Sequence, residues 1–477
     1  MQKKLFAAMC SAVVLTACVG MPSTEVDRQM GQQAAQSVAN DMGLVDDPAL
    51  TAYVDSVGQR VAAALPNRQF NYRFAVVDQV EPNAFAVPGG YIYVSRGLLS
   101  LLRSEDELAG VLGHEIQHVE RRHSVRQMKK ERRLGLLALP GELVGGIISD
   151  DLATLAGKPF EAVAAGYSRD QEREADALGQ PLAAAAGYDP QAIASILDRM
   201  EHFIETMTEE KRAPTFFDSH PSTPERVATL SRNAAKLTPT AAPHVAADEA
   251  AFMKKLDGLL IGPDPTEGLV HDQTFVHPAL GFRLVFPKGW LVENTRKTVN
   301  AMAPTKDGIA AFGLAGDGTA EDLPKIAKAF SEKLARKYRS TPQQIEGKTA
   351  GGLPAQALYL TDKSGKEPVH LYFLWLVMDH KIYQMIGLAP DSQRALVRSI
   401  ADSLRPLSDN ERASISELRL RVLGARSGET LPAVSKRAGG SVAAAVLAAM
   451  NGVTESVQFK GGEWVKVPVR SAYRAPR

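Results

Sequence analysis

Two histidines four residues apart, with a glutamate beside the first, are the residues of this chain best suited to chemistry: His114-Glu115-Ile116-Gln117-His118. On an α-helix, positions four apart differ by only about 40° around the axis, so both imidazoles project from one face and can share a zinc ion. Glu115 then reaches a water held at that centre and can serve as its general base. His123 is one candidate for the third ligand. On a continued helix it lies about 140° from His118 and about 180° from His114, so it is expected outside the ligand set, facing outward or supporting the ligands from behind. Arg121 and Ser124 stand where the longer H-E-x-x-H-x-x-G-x-x-H pattern has its glycine and third histidine. Glu172 is the better candidate. It shares a helix face with Asp176, whereas Glu174 is turned about 200° away from it. A Glu172 carboxylate completes a His₂Glu set with one position left for water, and Asp176 is placed to hydrogen-bond a zinc histidine and fix its tautomer. A solvated Arg/Glu-rich helix face has the same composition; the upstream motif is what favours the ligand.

The elements that must hold these residues are mostly helical. Apolar spacing predicts a helix over 24–65, strands at 70–77 and 84–94, and a long helix over 105–130 with acids early and bases late. The apolar stretch 134–148, broken by Pro140-Gly141, reads as a buried hairpin or a lid. Helices follow at 160–186, at 190–208 and after Pro224, and 237–250 has the composition of a linker leading to a short helix over 251–260. From about 275 to 407, strands at 282–286, 309–314, 355–360, 371–377 and 381–387 alternate with helices at 322–337 and 391–404, an α+β pattern with a mostly antiparallel sheet. His370 and His380 flank one of these strands without other titratable groups at catalytic spacing, and read as structural or solvent-facing. The remainder, 415–470, is small enough to need the rest of the chain or a very tidy core.

Composition bounds the function. A length of 477 residues suggests about three domains. With 45% hydrophobic and 23% charged residues the chain is not largely disordered. Its 55 basic against 54 acidic side chains argue against a nucleic-acid partner held by bulk charge. Cys10 and Cys18 are the only cysteines, which excludes a disulfide framework and a Cys-ligated zinc elsewhere. Lys3 and Lys4 followed by the apolar 5–15 and then Thr16-Ala17-Cys18 read as a secretory signal over 1–17, too short to span a bilayer.

Leu15-Thr16-Ala17-Cys18 resembles a bacterial lipobox, which implies a lipid on Cys18; with Val19 rather than Asp next, the resemblance implies sorting to the outer membrane. His114-Glu115-x-x-His118 with Glu172-x-x-x-Asp176 resembles the gluzincin metallopeptidases of the CAAX prenyl endopeptidase and HtpX group, and most of all their soluble periplasmic members, over about 25–235. That resemblance implies one zinc ion on His114, His118 and Glu172, protein or peptide substrates, and quality control of misfolded or stalled envelope proteins. Asn83-Ala84-Phe85-Ala86 and the residues up to Val94 match a family strand that borders the cleft. Physically, an edge strand pairs with an extended substrate, and Gly89-Gly90 permits close backbone approach. In similar proteases a histidine in a His-Pro turn such as His220-Pro221 approaches the zinc, capping its open position or helping to stabilise the oxyanion. Arg226 has an electrostatic part in this expectation, and capping by His220 would make the resting enzyme latent.

Gly281-Phe282-Arg283-Leu284-Val285-Phe286-Pro287-Lys288-Gly289-Trp290 resembles the opening of PsbP or Mog-like modules. The tail, from Leu420-Arg421-Val422 through Asn451-Gly452-Val453 to Trp464-Val465-Lys466, resembles a LysM module, a unit associated with peptidoglycan, with Glu429 in place of the usual Asp. The expected protein is thus α+β and multidomain: a signal over 1–17, a mainly helical zinc protease domain over 18–236 with a small edge-strand sheet, a linker over 237–274, an α+β domain over 275–407 and a LysM-like β-α-α-β tail over 415–470. Two rivals are a non-catalytic chaperone or assembly factor and a peptidoglycan-binding lipoprotein, each with a vestigial zinc site. Glu115 favours the enzyme, because a purely structural zinc has no use for a general base.

Overall fold

A computed structural model describes residues 23–133, 166–207, 216–221, 224–348, 352–365 and 367–473. The signal, Cys18 and the apolar 134–148 stretch lie outside them. Where the apolar pattern predicts one helix over 24–65 there are two, α1 (Thr24–Asp41) and α2 (Pro48–Ala63), because Pro48 opens a new helix whose Leu50 amide is capped by Asp47 at 2.9 Å. Three short strands follow, β1 (Arg73–Val77), β2 (Ala84–Val87) and β3 (Tyr91–Ser95). β3 lies between the others, parallel to β1 and antiparallel to β2, so β2 is at an edge. The predicted strand over 84–94 is therefore a hairpin. Its turn uses Gly89 and Gly90 at φ 82° and 102°, and a Cβ on Gly89 would sit 2.9 Å from the Asp27 carbonyl oxygen of α1.

After α3 (Arg96–Leu101), Ser104 caps α4 (Glu105–Glu120), which begins with three acids. The helix predicted to continue to 130 stops at Glu120. Arg122 turns left-handed at φ 55°, and α5 (His123–Arg133) starts afresh. No glycine or proline announces this break. A capping box of Ser168 and Gln171 opens α6 (Arg169–Ala185), followed by α7 (Ala192–Met207), α8 (Phe216–Ser219), α9 (Pro224–Ala234) and α10 (Glu249–Leu256). α4 and α6 cross in direct backbone contact at two glycines: a Cβ on Gly179 would lie 2.8 Å from the Gly113 carbonyl and from the His114 Cα. Around this crossing, Val54, Val57, Ile92, Leu108, Leu112, Ile116 and Ile196 are fully buried in one core. The segment with linker composition is pinned to that core. Buried Glu105 accepts from the Val245 and Ala246 amides and from the Tyr53 and Tyr188 hydroxyls, and Phe252, Met253 and Leu256 of α10 are buried there too.

The next unit contains β4 (Leu269–His271), β5 (Thr274–His277), β6 (Phe282–Val285), β7 (Leu291–Asn294), β8 (Thr298–Met302), β9 (Ile309–Asp317), α11 (Leu323–Tyr338), β10 (Gln343–Lys348), β11 (Pro354–Asp362), β12 (Val369–Met378), β13 (Lys381–Pro390), α12 (Arg394–Ser403) and β14 (Arg405–Pro406). They form a seven-stranded antiparallel sheet, β10-β11-β12-β13-β9-β8-β7, and a small sheet, β14-β6-β5-β4. All five strands and both helices expected from the sequence are present; the unexpected strands are mainly the short ones. β12 reads as an unbroken apolar run because both its faces are covered: Leu371, Phe373 and Trp375 enter one core, and Leu374, Leu376 and Met378 another. Its His370 is buried between Tyr359, Thr361 and Asp391, a structural role, and His380 is exposed in a turn.

After α13 (Asp409–Ser414), the tail runs β15 (Ser416–Gly424), α14 (Leu431–Ala438), α15 (Ala444–Asn451), β16 (Trp464–Ala472), with β15 antiparallel to β16. It leans on the first unit. Leu420 and Met450 join that unit's core, fully buried Lys466 donates from Nζ to the Leu102 carbonyl at 2.9 Å, and Arg103 Nη1 donates to the Asn451 carbonyl at 2.6 Å. Among the described residues no helix is long and apolar enough to cross a membrane.

Candidate metal centre

The α4–α6 crossing brings His114, His118 and Glu172 together, and the turn after α8 adds His220; all four are buried. His114 Nε2 and His118 Nε2 lie 2.9 Å apart, Glu172 Oε2 is 3.5 Å from His114 Nε2, and Glu172 Oε1 is 3.3 Å from His118 Nε2. His220 Nδ1 stands 3.3 Å from His114 Nε2 and 3.1 Å from Glu172 Oε1. Donors about 2.0–2.1 Å from one tetrahedral zinc are separated by about 3.3–3.4 Å, so these four fit such an ion. Glu115 is fully buried beside them, and among the described residues neither of its oxygens has a hydrogen-bond partner; Oε1 lies 3.4 Å from His220 Nε2.

The electrostatics suit a cation. Burial opposes a charge on His114, yet Asp176 and Glu172 push its pKa up to about 10, so a metal entering here displaces a proton from a site whose carboxylates favour either cation. Burial holds His118 well below the usual range, neutral and able to donate a lone pair. Burial also acts to raise Glu172, but His220, His114 and His118 overcome it and keep the carboxylate ionised. On Glu115 burial prevails and pushes the carboxyl up, the direction a general base needs.

Asp176 Oδ1 lies 2.9 Å from His114 Nδ1, on the ring nitrogen opposite the one that faces the other donors. Arg226 faces carboxylates of the site. Its buried guanidinium spans Asp176 at 2.7 and 2.9 Å and Glu172 at 2.7 Å, and Nη1 also donates to the Pro221 carbonyl at 3.1 Å. Arginine is therefore committed to holding carboxylates and the His220 turn. His123 is not on the same helix as His118, so the angle expected on a continued helix does not apply. It is wholly buried with Nδ1 2.9 Å from His118 Nδ1, on the supporting side of the ligand. Glu174, turned away from Glu172 as expected, reaches His123 Nε2 at 3.2 Å. On the edge strand, Ala84, Phe85 and Ala86 are buried, and Asn83 donates its backbone N–H to Ser95 Oγ at 2.8 Å. Two aromatic residues escaped the sequence reading: Tyr167 stacks on His118 with centroids 3.9 Å apart, and Phe216 stacks on His220 at 4.3 Å. Only their nearness to Glu172 and His220 in sequence could have flagged them.

Residues 48–234 match the model of Peptidase family M48, and every residue of the site lies inside that segment. The chain is 28% identical over 223 residues to the beta-barrel assembly-enhancing protease of Escherichia coli K12, covering 45% of each. It is 29% identical over 229 residues to the protein of that name in Yersinia pestis, covering 46% of each. It is 30% identical over 211 residues to the mitochondrial metalloendopeptidase OMA1 of Schizosaccharomyces pombe, covering 43% of this chain and 60% of that one. The chain thus spans about half the length of the curated relatives it matches. The solved cyanobacterial PsbP of Synechocystis sp. PCC 6803 covers 31% of this chain and 99% of its own at 12% identity and a TM-score of 0.24, a likeness without functional meaning.

Proposed function

We propose, from the premise that residues 48–234 carry the zinc metallopeptidase centre of family M48, that this chain is an endopeptidase of misfolded or stalled envelope proteins, tethered by a lipid on Cys18 to the periplasmic face of the outer membrane. The observation that carries the catalytic part is a buried three-histidine, one-glutamate donor set with a buried glutamate beside it whose oxygens, among the described residues, accept no hydrogen bond. The localisation rests on the lipobox resemblance and on similarity to the bacterial proteases named above. When bound to His114, His118 and Glu172, zinc supplies Lewis-acid polarisation of the scissile carbonyl and acidifies the attacking water. The chain's own residues do the rest. An extended substrate adds to β2 beside Asn83, Ala84, Phe85 and Ala86, held by main-chain hydrogen bonds. Glu115 takes the proton of the attacking water and delivers it to the leaving amine. Asp176 and Arg226 keep His114 and Glu172 in place.

His220 has two positions in this reading. As a fourth donor it closes the site and makes the resting enzyme latent; withdrawn, it faces the oxyanion. Its ring is stacked on Phe216, whose amide donates to the Pro82 carbonyl at 2.9 Å, just before β2, a contact path from the strand to the His220 turn. The β-α-α-β tail supports peptidoglycan as a second partner, whereas its burial against the first unit favours a brace; a pull-down on purified peptidoglycan decides between them. Casein digestion with and without chelator tests the enzyme against the assembly-factor alternative. Glu115→Gln is expected to keep zinc and lose about 10²–10⁴-fold in turnover; cleavage by His220→Ala faster than the native chain supports the latent reading, and slower cleavage supports the oxyanion role instead. Native-rate cleavage by Glu115→Gln overturns the assignment.

A further inference from the structure

His118 turns Nε2 toward the other donors and Nδ1 away from them. Where a metal-bound histidine ordinarily meets a carboxylate or carbonyl, this Nδ1 meets another imidazole, Nδ1 of His123, at 2.9 Å. His123 is 0% exposed, and its Nε2 lies 3.2 Å from Glu174 Oε2 on the partly exposed face of α6. Two ring nitrogens bond only if one carries a hydrogen and the other does not. A ligand that gives its Nε2 lone pair to a metal keeps its hydrogen on Nδ1. His118 therefore donates to His123 Nδ1, and His123, with its own hydrogen on Nε2, donates to Glu174. One set of tautomers satisfies every atom of this chain, each hydrogen pointing outward from the metal centre.

The backbone that presents His123 is held from the far end of the first unit. Arg122, left-handed at φ 55°, binds Asp27 of α1 through Nε at 2.6 Å and Nη2 at 2.7 Å, and Asp27 is 1% exposed. A left-handed arginine persists only where its surroundings over-determine it, and the bidentate pair with buried Asp27 does so here. Were α4 to run on, His123 would face away from His118.

We propose that His123 is a positioning residue for the metal: it fixes the tautomer and ring orientation of His118, with Glu174 as its outer partner and the Asp27–Arg122 pair setting the turn that delivers it. This rests on the zinc reading of the site, and the experiment separates the two. Zinc affinity of the full chain is measured by competition with a chromophoric chelator, together with the melting midpoint after zinc removal. His123→Ala is expected to weaken zinc by about 10- to 100-fold. His123→Asn, which replaces the Nδ1 acceptor with an amide oxygen, is expected to stay within a few-fold of the native chain. Glu174→Ala, a change at a partly exposed residue that spares the core, is expected to weaken zinc by a smaller factor in the same direction. A purely packing role for His123 would lower the zinc-free melting midpoint of both His123 variants alike and leave zinc affinity unchanged; that result, with native affinity in Glu174→Ala, overturns the proposal. A native chain that binds no zinc refutes the metal reading itself.

Discussion

Replacing Gly179 with alanine tests whether the α4–α6 crossing sets the metal geometry. A Cβ at this position would lie 2.8 Å from the Gly113 carbonyl carbon, the Gly113 oxygen and the His114 Cα, all backbone atoms with no rotamer to yield. Carbon atoms rest about 3.5–4.0 Å apart, so the helices must part by about 0.7 Å or more. Zinc–ligand distances tolerate only about 0.2 Å, and the two helices carry His114 and His118 on one side and Glu172 on the other. Overpacking of this kind costs about 1–3 kcal/mol. Expressed at the metal, that is a loss of about 5- to 150-fold in zinc affinity. Alanine is also the better helix former by up to about 1 kcal/mol, which works against gross unfolding. Chelator competition on the purified chain reads the affinity, and circular dichroism confirms the fold. Gly347→Ala is the control, since its added Cβ meets nothing within 4 Å. Native zinc affinity in Gly179→Ala would refute the claim that close helix approach sets the donor separations.

Two further outcomes follow from buried charges. Arg226→Met leaves Asp176 and Glu172 without their shared guanidinium, and removing one partner of such a buried pair costs about 3–5 kcal/mol; because zinc partly replaces the lost positive charge, the drop in melting midpoint is expected to be larger with chelator than with zinc, and equal drops would contradict this. In the sheet unit, burial lowers His277 to about 4 from its ordinary 6.5. The unfolded chain therefore binds a proton that the folded chain does not as pH falls from 6.5 to 4, so stability falls across that window, by about 1–2 kcal/mol once partial exposure is allowed for. His277→Asn, which keeps an acceptor for the Leu280 amide, is expected to flatten this loss in denaturant titrations at pH 6.5 and 4.5; an unchanged loss would contradict it.

The division between what could be read along the chain and what could not follows the range of the interactions. The relation of His114 to His118 is helical geometry, set by backbone hydrogen bonds within one turn, so spacing alone placed both imidazoles on one face. The same holds for Glu172 with Asp176, and for β12, whose apolar run reports a strand covered on both sides. Helix ends were less legible. Arg121-Arg122 carries no breaker, and α4 stops there because Asp27, ninety-five residues away, holds Arg122 in a left-handed turn. Sequence periodicity therefore placed His123 on the wrong helix and left it either outward or behind the ligands; only the three-dimensional turn sets it against His118.

Arg226 and the pinned segment before α10 have the same origin. An arginine at a helix start, expected only to act electrostatically at the site, and a Thr/Pro/Ala-rich stretch with linker composition carry no local sign of burial. They become buried anchors because Asp176, Glu172 and Glu105 are carboxylates whose burial needs distant partners. The amino-acid sequence by itself determined the ligand types and their pairing within each helix. The tertiary structure decided which helices meet, at Gly113 and Gly179, and so which of many carboxylates and histidines share one buried centre. Local spacing is dictated by the backbone, whereas desolvated charges take their places from whatever the whole chain brings within reach.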